Sequence, residues 1–116
     1  MLLNDIKTKL EELDSCVYYG MMTKDPDEVP VWDYIVFNRV KLRSTADKNS
    51  FSDMFAVHII RENFIPEEFD VAVIAKMKEI PGVRLMGEDG TFNYMQKGKT
   101  DTVVEMLTLT FVRARK

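Results

Sequence analysis

Residues 103–116 read VVEMLTLTFVRARK, and this closing stretch decides the fold. Alternate positions differ in character, as they do along a half-buried strand. Leu107, Leu109 and Phe111 fall on one side and are fully apolar. Met106, Thr108, Thr110, Val112 and Ala114 fall on the other. A solvated side would carry Lys, Glu and Arg. Small and β-branched residues instead suit a face half-covered by something else. Two covers fit: a helix of this chain, or a neighbouring subunit. Thr108 and Thr110 are therefore candidate contact residues, and Phe111 is a candidate core anchor.

Working back from that strand, residues 83–95 (VRLMGEDGTFNYM) predict a hairpin turning between Gly87 and Gly90. Residues 65–82 predict a helix. Pro66 suits the first helical position, and Glu67 and Glu68 favour the positive end of the helix dipole. Phe69, Ala72, Val73, Met77 and Ile80 keep the helical period, and Pro81-Gly82 stops it. Residues 51–63 and 32–43 predict two long strands joined by the turn STADKNS. In WDYIVFNRVKLR, regular alternation would put Arg39, Lys41 and Arg43 in a row on a single face. Residues 16–22 predict a short strand, and 23–30 a surface loop with Pro26 and Pro30. At the start, Leu3, Ile6, Leu10 and Leu13 form one helical stripe, with Asp5 and Lys9 as an i,i+4 pair.

The expected order is α-β-β-β-α-β-β-β. Helices segregated from runs of strands predict an α+β fold, two helices packed on a mostly antiparallel twisted sheet. The 116 residues suffice for one domain, with 46% hydrophobic and 30% charged residues. No apolar run approaches a membrane span, and no signal peptide opens the chain. The chain is expected to be made and folded in the cytoplasm. Cys16 is the sole cysteine, so no disulfide within the chain is expected.

A net charge of −3 gives no global signature of nucleic-acid binding, but the charge is uneven. Asp25, Asp27 and Glu28 cluster in the early loop, while Arg113, Arg115 and Lys116 end the chain. Opposite patches on one body suit head-to-tail self-association. Catalytic signals are sparse. His58 is the only histidine, and a Cys16–His58 pair would be the one nucleophile arrangement available. The acidic loop lacks calcium-loop spacing, and the ligands zinc needs are missing. The glycines form no phosphate loop. Tyr34, Phe37, Phe51, Phe55, Phe92, Tyr94 and Phe111 alternate like core residues, not like the stacking aromatics of an RNA-binding sheet. No metal, cofactor or catalytic residue is expected, and the chain reads as a non-enzyme.

The strings WDYIVFNRVKLR, IIRENFIPEEF, KMKEIPGVRL and TDTVVEMLTLTFVRARK resemble short proteins from the head–tail joining region of tailed phages and prophages of Gram-positive bacteria. The element order is similar to the tail terminator fold of long-tailed phages. That resemblance implies a structural virion component that assembles as a ring, usually a hexamer, at the end of the tail tube. It implies the tube protein and the head connector as partners, and DNA passing through the ring. The family has no binding motif to transfer residue by residue. Its subunits need two different complementary faces, which the acidic loop and the basic end can supply. Arg39, Lys41 and Arg43 can instead line the lumen and meet passing DNA without reading sequence. A small α+β binding or regulatory module, acting through protein–protein contacts, is the alternative.

Overall fold

In a computed structural model, residues 2–21, 31–44, 51–87 and 90–115 are described, with backbone alone for 43, 44 and 115. The elements are α1 (Leu2–Glu11), β1 (Val17–Tyr19), β2 (Tyr34–Ser44), β3 (Phe51–Glu62), α2 (Phe69–Lys78), β4 (Val83–Leu85), β5 (Thr91–Gln96) and β6 (Val103–Arg115). Two helices and a six-stranded, mostly antiparallel sheet make this the expected α+β fold. Among the described residues, only β1 and β2 run parallel.

The closing strand organises the sheet. β6 pairs β3 over twelve residue pairs on one edge. On its other edge it pairs both β4 and β5. The expected hairpin of residues 83–95 is therefore not formed. β4 lies opposite residues 111–113 and β5 opposite residues 103–108, in line along one edge. β6 is long enough to hold both, so Gly87 and Gly90 interrupt an edge strand and do not reverse the chain. Gly87 takes φ +69°, a region a side chain would resist. At Gly90 a Cβ would lie 2.8 Å from Leu107 Cδ1 and 2.9 Å from Leu109 Cδ2, so the chain entering β5 passes directly against these two core leucines.

Paired residues on neighbouring strands share a face. One face carries Ile35, Phe37, Phe55, Val57, Ile59, Leu107, Leu109 and Phe111, and both helices cover it. Ile6 and Leu10 come from α1, and Val73 and Met77 from α2. The predicted stripe on α1 thus points inward, with Leu3 and Leu13 packed at its margins. Lys9 does not stay within its own helix: its Nζ reaches Glu79 Oε1 at 3.0 Å, beyond the end of α2. Lys76 returns the link to Glu12 at 3.5 Å. The second helix begins later than its sequence suggests. Glu68 sits at φ 75° and Phe69 N donates to Pro66 O at 3.2 Å, so Pro66–Glu68 form a turn ahead of the first helical residue.

Arg61 ties the elements together. Its Nη2 donates to Asp14 Oδ2 at 2.7 Å, and its guanidinium lies 4.5 Å from the Phe69 ring centroid. Asp14 also accepts from Cys16 N at 2.9 Å, setting the exit from α1 into β1. Among the described residues, no helix is long and apolar enough to cross a membrane.

Candidate interaction faces

The face of the sheet turned away from the helices answers the question of cover. Its rows run Tyr34–Ile60–Met106–Asn93, then Val36–His58–Thr108–Thr91, then Asn38–Ala56–Thr110 across the strands. A second apolar cluster gathers there: Val36, Ile60 and Val104, flanked by Tyr18, Trp32, Tyr34 and Met106. It contains no helical residue. Thr108 and Thr110 therefore stand, half-buried, on a face that neither helix covers. Phe111 is fully buried on the other.

A polar rung crosses the middle of this open face. His58 Nε2 lies 2.8 Å from Asn38 Oδ1, and Nδ1 lies 2.9 Å from Thr108 Oγ1. An amide oxygen only accepts, so Nε2 carries the hydrogen. Nδ1 then accepts from the Thr108 hydroxyl when the ring is neutral. Burial pushes the His58 pKa below its ordinary value of 6.5. Both ring nitrogens are thus engaged by Asn38 and Thr108, and Cys16 Sγ has its contact with Ser15 Oγ at 3.9 Å. The structure does not bring Cys16 and His58 into a hydrogen-bonded pair. Among the described residues, no three His, Cys, Asp or Glu side chains are grouped to hold a metal ion.

The basic row is corrected by the register. Arg39 stands opposite Phe55, but Lys41 stands opposite Met54, with a bulge between them at Val40. One extra residue in a strand resets its alternation. Arg39 therefore belongs to the helix-covered face and Lys41 to the open face. Position 43 lies opposite Ser52, and position 115 opposite Phe51. Arg113 stands opposite Asp53 and Val83, on the helix-covered face, apart from Thr108 and Thr110. Asp25, Asp27, Glu28 and Lys116 lie outside the described residues.

What strand alternation does not unite, a groove does. Arg39, Lys41 and Arg113 all line a groove of 420 Å³ at one end of the sheet, beside Leu2, Leu3 and Leu42. The opposite end carries a feature absent from the sequence reading. There Phe64, Phe92 and Tyr94 surround a second hollow, of 460 Å³, with Glu67, Asp70 and Glu105. Phe92 and Tyr94 were expected in the core with Phe51. Instead Phe92 is 47% exposed and Tyr94 63%, because β5 extends the sheet at its edge and all six of its residues are exposed. Glu105 fixes the local geometry: Oε1 accepts from Ile65 N at 2.8 Å, and its bond to the Tyr94 hydroxyl raises the tyrosine pKa. The available signal was the spacing of Phe64 and Phe69 around Pro66, which leaves Phe64 outside the helical period.

No protein-family model and no curated protein matches this sequence.

Proposed function

We propose that this chain is a structural subunit of the tail terminator or head–tail joining type, acting by packing into a ring at the end of a phage tail tube. The observation that carries the reading is the open sheet face. Apolar and small residues at Val36, Ile60, Met106, Thr108 and Thr110 occupy it, and both helices lie on the other side. Val36 and Ile60 are already buried within the chain, and a cover supplied by another subunit would add burial of the half-buried remainder, Met106, Thr108 and Thr110. The resemblance of the four strings to joining-region proteins names the setting: the virion tail, with the tube protein, the head connector and further copies of this chain as partners, and DNA in the lumen. Lys41, on the open face, suits non-specific contact with a phosphate backbone. The alternative, a small binding module of a prophage or bacterium, draws on the exposed β5, which offers an edge to a partner strand.

Thr110→Lys tests the role of the open face. The variant is expected to unfold at the wild-type midpoint and to lose rings and tube decoration in electron micrographs. Unfolding of the variant would make this face interior to the chain. Wild-type assembly would remove it as a contact.

A further inference from the structure

The two end hollows differ in chemistry in a complementary way. At one end, Arg39, Lys41 and Arg113 face a single carboxylate, Asp53, around an apolar surface that includes Val40 and Leu42. Those two side chains are 46% and 55% exposed. At the other end, Glu67, Asp70 and Glu105 stand around Phe64, Phe92 and Tyr94 with no cation among the lining residues. Phe64 is 67% exposed. The volumes, 420 and 460 Å³, are alike.

Position along the sheet separates the two. Glu105 and Arg113 share one face of β6 and are eight residues apart. At about 3.4 Å per residue this places them roughly 27 Å apart. The acidic hollow also borders β5, on one edge of the sheet, whereas the basic groove borders β2, toward the other. β1 pairs only Ile35–Phe37 of β2, leaving the bulged end of β2 beside the groove unpaired on that side among the described residues.

We propose that copies of this chain join end to end, the acidic aromatic end of one copy seating in the basic apolar groove of the next. The occupant is a second copy because this chain itself presents the opposite chemistry, apolar with apolar and carboxylate with cation. Each contact buries aromatic rings that are exposed in the single chain and sets three carboxylates against three cations. Such contacts supply both attraction and register. A contact between two different patches is heterologous, so an open row of copies keeps one free acidic and one free basic end until a ring closes. This rests on the ring reading above and names the surfaces that would build the ring.

Sedimentation velocity on the full chain, from micromolar to millimolar concentration, tests it with two variants. One carries Glu67→Lys and Asp70→Lys, the other Arg39→Glu and Lys41→Glu. Each is expected to weaken self-association about tenfold or more, through like charges brought together. Mixed together, they are expected to regain assembly in strict alternation, the intact acidic end on the intact groove and the reversed end on the reversed groove. Combining all four substitutions in one chain is expected to restore assembly. Where the acidic-end variant fails to fold, Phe64→Ser probes the same end. Wild-type assembly by both variants would overturn the end-to-end contact while leaving the ring reading standing. A variant mixture that forms no complex, or a wild type that stops at a dimer, would also overturn it. Loss of single-stranded oligonucleotide binding, without loss of assembly, would reassign the groove to nucleic acid. A wild type that stays monomeric at every concentration and on tail tubes would overturn contact and ring together.

Discussion

Phe55 and Phe111 stand directly opposite each other in the β3–β6 ladder, their rings stacked with centroids 5.4 Å apart and planes inclined by 18°. Both are essentially inaccessible to solvent. They join the two longest strands beneath the helices. Phe111→Ala is expected to cost roughly 3–5 kcal/mol, through lost burial and the cavity left behind. Urea unfolding followed by far-UV circular dichroism measures it. A loss under about 1 kcal/mol, the scale of a surface substitution, would remove Phe111 from the core.

Gly90 and Gly87 border the same interruption but differ in kind. A methyl at Gly90 meets the ends of Leu107 and Leu109, both nearly fully buried. Gly90→Ala is expected to cost about 1–3 kcal/mol by overpacking. Gly87→Ala meets open space and costs only the left-handed backbone, about 1–2 kcal/mol. The distinguishing measurement is suppression: trimming Leu109 to Val should recover part of the Gly90→Ala loss and none of the Gly87→Ala loss.

The Arg61–Asp14 pair is largely shielded, each side chain 11% exposed. Removing the guanidinium leaves a carboxylate without its cation. Arg61→Met is expected to cost about 3 kcal/mol, toward the lower end for a buried pair. Asp14→Asn should cost less, because its single amide oxygen still accepts from one of the two donors that now use Oδ1 and Oδ2, and Arg61 keeps its bond to Ile60 O and its place over the Phe69 ring. Equal losses in the two variants, measured by denaturant titration, would count against this ordering.

His58 gives stability a pH dependence of definite sign. Its pKa is lowered in the folded protein by burial. Between the folded value and 6.5 the unfolded chain binds more protons, so stability rises with pH there. The contribution is complete above 6.5 and is lost as pH falls through the folded value. Glu62, held below the usual carboxylate range by Lys97 and the Trp32 backbone N–H, acts only under its ordinary 4.5. His58→Gln is expected to flatten the unfolding midpoint between about pH 6.5 and the carboxylate range. An unchanged slope would assign it to other groups.

The sequence made the layering legible because burial leaves a periodic trace. Leu107, Leu109 and Phe111 announce one covered face, and Ile6 with Leu10 announces the helix that covers it. Features without a period were lost. An extra valine in a strand looks like any other valine, so the bulge at Val40 was invisible and the basic row was drawn on one face. Gly87 and Gly90 carry the same turn signal whether the chain reverses or only steps aside. The length of β6 decides between these, and that is a property of the partner strand. Aromatic residues at alternate positions in β5 look buried until the sheet edge is known. The acidic aromatic end, assembled from residues 64–70, 92–94 and 105, depends wholly on tertiary placement.

The bulge at Val40 also bears on how lineages of this chain can vary in length. A chain lacking that residue would keep Arg39 opposite Phe55 and Lys41 opposite Met54, since the ladder is already in step on both sides. A residue lost between positions 34 and 38 would instead turn the strand segment on one side of the gap inside out. Insertions and deletions in β2 are thus channelled to one position. An alignment that sets its gap elsewhere in this strand would pair open-face with helix-covered residues over the stretch between that gap and Val40.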